Sequence, residues 1–223
     1  MSTAVVPPPA NDVDTVADLL HQLGDIPPER VLWNPRPGSA TEEDLVALVE
    51  GANKRLVELV DGTLVEKPMG YYEGRVGLLI GYFIEQYLEK NDIGICFGDN
   101  SPFRYRRGVV RLPDVSYFSW SHFPNRELPA GPIAGLGPDL AVEVLSKSNT
   151  HREMERKRRE CFDAGAKLFW QVDPETQTAE AYTSVEQKTE VPADGVLDGG
   201  NVLPGFQLSL KKLFERAGKR QGR

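Results

Sequence analysis

Two short apolar runs in this 223-residue chain each carry one carboxylate, and they limit the fold more tightly than any other feature. Residues 112–118 read LPDVSYF and residues 140–145 read LAVEVL, with Asp114 and Glu143 as their charged members. Runs of this length and composition are expected to be buried β-strands. Side chains alternate along a strand, so Glu143 shares a face with Ala141 and Leu145 while Leu140, Val142 and Val144 line the other. Asp114 follows Pro113, which a strand tolerates at its first residue. An ionised carboxylate in such surroundings is costly unless a metal or a cationic side chain compensates it. The fold must therefore bring positive charge to both strands.

A basic helix after Glu143 is the nearest source. Thr150 is placed to cap it, Glu153 completes a capping box, and Gly165 is a natural stop. Lys157 lies three residues after Met154 and four before Cys161, in the middle of the helix's apolar stripe. A lysine there either snorkels outward or reaches an anion, and the strands this helix covers hold Asp114 and Glu143. The rest of the basic stretch 152–159, REMERKRR, is expected to be a solvated face laced with ion pairs. Arg152 and Arg156 are its candidates for contacts to nucleic-acid phosphates. Glu153 already has a capping role and is set aside.

Two carboxylates on adjacent strands can hold one Mg²⁺ through oxygen, with water and phosphate completing the shell. With an inward lysine, the pattern is that of a divalent-metal phosphodiester site. Glu73 is a further candidate, in line with Val76 and Ile80 on a helix over 71–90; a favourable charge at the helix N-terminus explains it equally well. Glu66 reads as an exposed strand end.

The remaining chain reads as one domain. Residues 1–40 form an N-terminal extension, partly disordered, with a short helix near 12–23; residues 41–217 form the domain; residues 218–223 are a disordered tail. Thr41 and Asp44 are at capping-box distance, Asp61-Gly62 turns a hairpin over 56–67, and strands are expected within 94–118, at 167–173 and at 178–183. A last short strand precedes a C-terminal helix. This order is that of an α/β or α+β sheet with helices on its faces.

No apolar run approaches the ~20 residues of a membrane span, and the N-terminus lacks the features of a signal peptide, so a cytoplasmic location with no membrane partner is expected. Cys96 and Cys161 are then reduced thiols, and the three histidines have no zinc-type spacing. The net charge of −7 argues against broad nonspecific nucleic-acid binding but leaves room for local positive charge.

These residues resemble a known pattern. Pro113-Asp114, Glu143-Val144-Leu145-Ser146, Lys157, Ala164-Gly165, Phe169-Trp170 and Val172-Asp173-Pro174 are similar in order and spacing to the Uma-two family of restriction-endonuclease-like proteins, in the PD-(D/E)XK superfamily. Glu58-Leu59-Val60-Asp61-Gly62 with Glu66, and Leu203-Pro204-Gly205-Phe206, extend the likeness over roughly residues 40–217. The resemblance implies a restriction-endonuclease-like α/β fold, with a central mixed β-sheet flanked by helices. It also implies Mg²⁺ (or Mn²⁺) as cofactor, DNA as substrate and a homodimer as assembly. Asp114, Glu143 and the Val144 carbonyl would be metal ligands. Lys157 would replace the lysine usual two residues after the second acid, where Leu145 stands. Lys147 stands where a proline is common, Cys161 where a tyrosine is, Leu168 where a glutamate is, and Glu73-Gly74 where His-Gly is frequent. Two other classes stay open at this point: a catalytically weak binding or assembly module on the same fold, and a metal-dependent hydrolase of another phosphate ester.

Overall fold

The computed structural model describes residues 13–52, 54–68 and 70–219. The disorder expected of the Pro-rich start and of the end of the tail falls largely outside those residues.

The chain runs α1 (Val16–Gln22), α2 (Glu42–Glu50), β1 (Val57–Val60), β2 (Thr63–Glu66), α3 (Tyr71–Leu88), β3 (Gly94–Gly98), β4 (Phe103–Arg106), β5 (Val109–Arg111), β6 (Val115–Ser119) and β7 (Leu140–Val144). It continues through α4 (His151–Asp163), β8 (Leu168–Asp173), β9 (Thr178–Tyr182), β10 (Lys188–Val191), β11 (Val196–Asp198), β12 (Gln207–Ser209) and α5 (Leu210–Ala217). Six strands form the central sheet in the order β10-β9-β8-β7-β6-β3. The pair β7–β8 is parallel, joined by α4 as crossover, and the other neighbours are antiparallel. This is the mixed sheet with flanking helices expected from the sequence. The alternation in β7 also holds. Leu140, Val142 and Val144 enter the core that α3 and α5 close with Val76, Ile80 and Leu213. Ala141 and Leu145 face Met154 and Cys161 of α4.

A second sheet, in the order β2-β1-β5-β4, stands beside the first. Asp61 and Gly62 turn its β1–β2 hairpin with φ of 48° and 75°, the left-handed pair a two-residue turn requires. A Cβ on Gly62 would also sit 2.6 Å from the Gly38 carbonyl oxygen, so glycine serves both the turn and the packing. The chain leaves this sheet at the end of β5 and enters the central sheet at β6. Leu112-Pro113-Asp114 is the link, which places Asp114 at the seam between the sheets.

The N-terminal segment also packs. Leu19, Leu23, Ile26 and Val31 cluster with Val60 and Val65 of the hairpin. Arg30 makes a bidentate bridge to Glu153, at 2.9 and 2.6 Å, and so ties this segment to α4. This corrects the capping box expected at Thr150. The Thr150 hydroxyl accepts from the Glu153 N–H at 3.0 Å, but the Glu153 carboxylate turns to Arg30 and Asn149. A buried guanidinium offers a charge-assisted, two-pronged contact that a single backbone N–H cannot match. The Thr41–Asp44 box forms as expected. No helix among the described residues is long and apolar enough to cross a membrane.

Candidate active site

Asp114 is held at three points. Its own N–H donates to the Val142 carbonyl at 3.0 Å. Its Oδ2 accepts from the Val144 N–H at 2.6 Å. Its Oδ1 lies 2.7 Å from Lys67 Nζ. The first bond continues the β6–β7 ladder and the second ties the carboxylate itself to β7, so the strand that carries Glu143 also fixes Asp114. Gly77 of α3 passes overhead, where a Cβ would lie 3.6 Å from Asp114 Cβ. The side chain of Asp114 remains 20% exposed, the most open acid of the group.

Glu143 is buried, and its Oε2 accepts from Lys157 Nζ at 3.1 Å. Lys157 is only 3% exposed, and its Nζ is also 3.1 Å from Glu58 Oε1. It therefore does not snorkel, and its place in the apolar stripe of α4 is the inward place the spacing gave. Its partners differ in part from expectation: Lys157 bridges Glu143 and Glu58, while Lys67 is the cation paired with Asp114.

Glu58 lies on β1 with no exposed surface. It also accepts from Arg111 at 2.8 Å and from the Leu112 N–H at 3.2 Å. Arg111 continues to Glu160 at 2.6 Å, and Glu160 to Arg156 at 2.8 Å. Burial works to raise the Glu58 carboxyl, but the charges of Lys157 and Arg111 more than reverse this and hold it down to about 2. Glu143 goes the other way. Burial pushes it up to about 7, with the Asp114 charge adding to the rise and Lys157 only partly offsetting it. Two acids thus share one lysine, and the one with more partners keeps the charge. Burial also works against the charge on Lys157, but Glu143 and Glu58 outweigh it and hold the amine above the usual lysine range.

Lys67 follows β2 directly and is 5% exposed. Besides Asp114 it donates to the Leu112 carbonyl at 2.7 Å. From the sequence, neither Lys67 nor Glu58 receives a role at the site, although Glu58 opens the Glu58–Gly62 stretch of the resemblance. Glu58 was findable: VELV is an acid flanked by apolar β-prone residues, the same signal that marks Glu143. Lys67 carries no such signal, because a lysine after a strand end reads as solvent-exposed.

Glu73 is buried in the first turn of α3 and folds back on the helix start, where a Cβ at Gly70 would lie 1.9 Å from its Oε2. It lines the same cavity of about 310 Å³ as Lys67, Asp114, Glu143, Val144 and Lys157. Arg152 and Arg156 are outside that lining. Arg152 pairs with Asp25 at 3.0 Å, and Arg156 pairs with Asp61 at 2.5 Å and donates to the Gln22 carbonyl. Glu66 pairs with Arg55 at the surface, and Lys147 is exposed. A neighbouring cavity of about 420 Å³ runs along Gly74, Gly77 and Gly81 of α3 toward β3 and meets the first at Asp114 and Asp99.

Among the described residues no group of three or more His, Cys, Asp or Glu side chains could hold a metal alone. The donors at this site are two carboxylates and the adjacent backbone, all oxygen, opening on a cavity with room for water. That set fits a hard divalent cation such as Mg²⁺ or Mn²⁺ and does not fit zinc of the structural type.

A family model, Uma2, described as "Putative restriction endonuclease", matches residues 43–211. A solved structure described as "a putative nuclease belonging to DUF820", from Anabaena variabilis ATCC 29413, superposes with a TM-score of 0.64 at 22% identity. The match covers 72% of this chain and 90% of that one, and at this identity it is a likeness of fold. No curated protein matches the chain.

Proposed function

The chain belongs to the Uma2 family, and from that premise we propose that it is a divalent-metal-dependent endonuclease acting on DNA, with Asp114, Glu143 and Lys157 as its catalytic set. The observation that carries this reading is the convergence of those three residues, from the β5–β6 link, β7 and α4, on one cavity.

Asp114, Glu143 and the Val144 carbonyl would hold Mg²⁺ or Mn²⁺. When bound, the cation would polarise the phosphate and lower the pKa of a coordinated water. The rest falls to the chain's own groups. Lys157 spends two of its three N–H donors on Glu143 and Glu58. The third is available to a water or to a phosphate oxygen as negative charge develops on it. Glu58 and Arg111 hold Lys157 and its surroundings rigid and take no direct part. Glu73, at the cavity wall, would orient an outer-shell water. Arg152, about half exposed, would contact backbone phosphate away from the reacting centre. Arg156 would do so only by exchanging its present partners.

The test is cleavage of supercoiled plasmid DNA, a matched RNA and a simple phosphodiester, each with and without Mg²⁺ or Mn²⁺. Metal-dependent DNA cleavage lost in Asp114→Asn supports the proposal. Hydrolysis of the small ester alone would favour a different phosphoesterase, and inertness on all three a binding module.

A further inference from the structure

Each carboxylate at the site already has a cationic partner without a metal: Asp114 pairs with Lys67, Glu143 with Lys157, and Glu58 with Lys157 and Arg111. Of the cations, Lys157 and Arg111 are each fixed by two carboxylates. Lys67 has one, Asp114, and its second contact is a neutral carbonyl, that of Leu112. It is the least strongly held of the three, and it sits on the acid that is most open to the cavity.

We propose that Lys67 is a tethered counter-cation that occupies Asp114 until a divalent metal displaces it. This rests on the metal-dependent reading above and adds to it a threshold for metal entry. The argument is one of space and charge. The Lys67 ammonium is 2.7 Å from Asp114 Oδ1, and Oδ2 is taken by the Val144 N–H. A hard cation coordinates carboxylate oxygen at about 2.1 Å, so on Oδ1 it would lie within a few ångströms of the ammonium, with like charge and little water between. Both cannot remain. The metal carries the larger charge, and Lys67 has a flexible stem that opens on the cavity, so the lysine is the group that leaves. Without metal, Lys67 keeps Asp114 compensated and in place. With metal, its amine is released into the cavity where substrate phosphate would lie. Lys67 is thus a positioning residue in one state and a phosphate-facing cation in the other.

Isothermal titration of the full chain with Mn²⁺, followed by thermal unfolding with and without the ion, tests this. Lys67→Met should bind Mn²⁺ roughly tenfold or more tighter than the unaltered chain, and Lys67→Arg should not. Lys67→Met should also unfold at a lower temperature without metal and recover when it is added. A lysine with a purely structural role would give weaker binding on removal. If Lys67→Met binds Mn²⁺ no better than the unaltered chain, while Asp114→Asn abolishes binding, the lysine's role is refuted and the metal site stands. If no form binds Mn²⁺, both fall. Should Lys67→Met not fold, Lys67→Gln makes the same comparison with a side chain that can still reach the Leu112 carbonyl.

Discussion

Lys157→Met removes the cation between two buried carboxylates while keeping an unbranched side chain of similar length. Each carboxylate oxygen is 3.1 Å from Lys157 Nζ. At an effective dielectric of about 20, a contact at that distance is worth about 5 kcal/mol before desolvation. Returning the ammonium to water in the unfolded chain recovers several kcal/mol of this. Breaking a buried pair by removing one partner has a net cost of about 3–5 kcal/mol, because the charge left behind is uncompensated. Glu58 retains Arg111, so the larger share falls on Glu143. Three consequences follow. Guanidinium unfolding at pH 7.5 should show a loss of about 3–5 kcal/mol with an unchanged denaturant slope. The loss should shrink near pH 5, where Glu143 is protonated in the folded state with or without the lysine. Glu143→Gln in the same chain should recover part of it, with a coupling of at least about 1 kcal/mol. A loss below about 1 kcal/mol, or strictly additive effects of the two substitutions, would show that Lys157 is not the compensating charge.

Other perturbations are also decisive. The Glu143 carboxyl is raised in the folded state, so its contribution is fully present below about pH 4.5 and is lost as pH rises through about 7, by up to about 3 kcal/mol. In metal-free buffer, Glu143→Gln should flatten the fall in stability over that window. Glu58 is depressed to about 2, and its contribution is present above about 4.5 and disappears as pH falls toward 2. Glu58→Gln should therefore lower the unfolding temperature at pH 7 and make stability less sensitive to acid. Arg30→Ala breaks a buried bidentate bridge and should cost about 3–5 kcal/mol, with limited proteolysis showing release of the segment that packs on α4. Gly70→Ala forces the Glu73 carboxylate to move, so cleavage should slow severalfold with little change in unfolding temperature if Glu73 assists the reaction; equal rates would remove Glu73 from the site.

Much of this was legible in the sequence because it obeys period. Alternation fixed which face of β7 Glu143 occupies, and helical spacing turned Lys157 inward; both are local geometry that packing then respects. The Asp61-Gly62 turn and the Thr41–Asp44 cap are local chemistry of the same sort. What the sequence hid is pairing across elements. Lys67 reaches Asp114 because β5 hands the chain from one sheet to the other at residue 112, a path no periodicity encodes. Glu153 was assigned the wrong partner for the same reason: its arginine, Arg30, is 123 residues away. The division of the strands into two sheets, with the site at their seam, belongs to this class as well.

The central claim is that Asp114 and Glu143 form one metal-dependent cleavage site with Lys157. It is tested most directly by measuring the rate of plasmid nicking in saturating Mn²⁺ for the unaltered chain beside Asp114→Asn, Glu143→Gln and Lys157→Met. The account predicts nicking that requires the metal and falls about a hundredfold or more in each folded variant. Nicking that persists unchanged in Asp114→Asn and Glu143→Gln would contradict it.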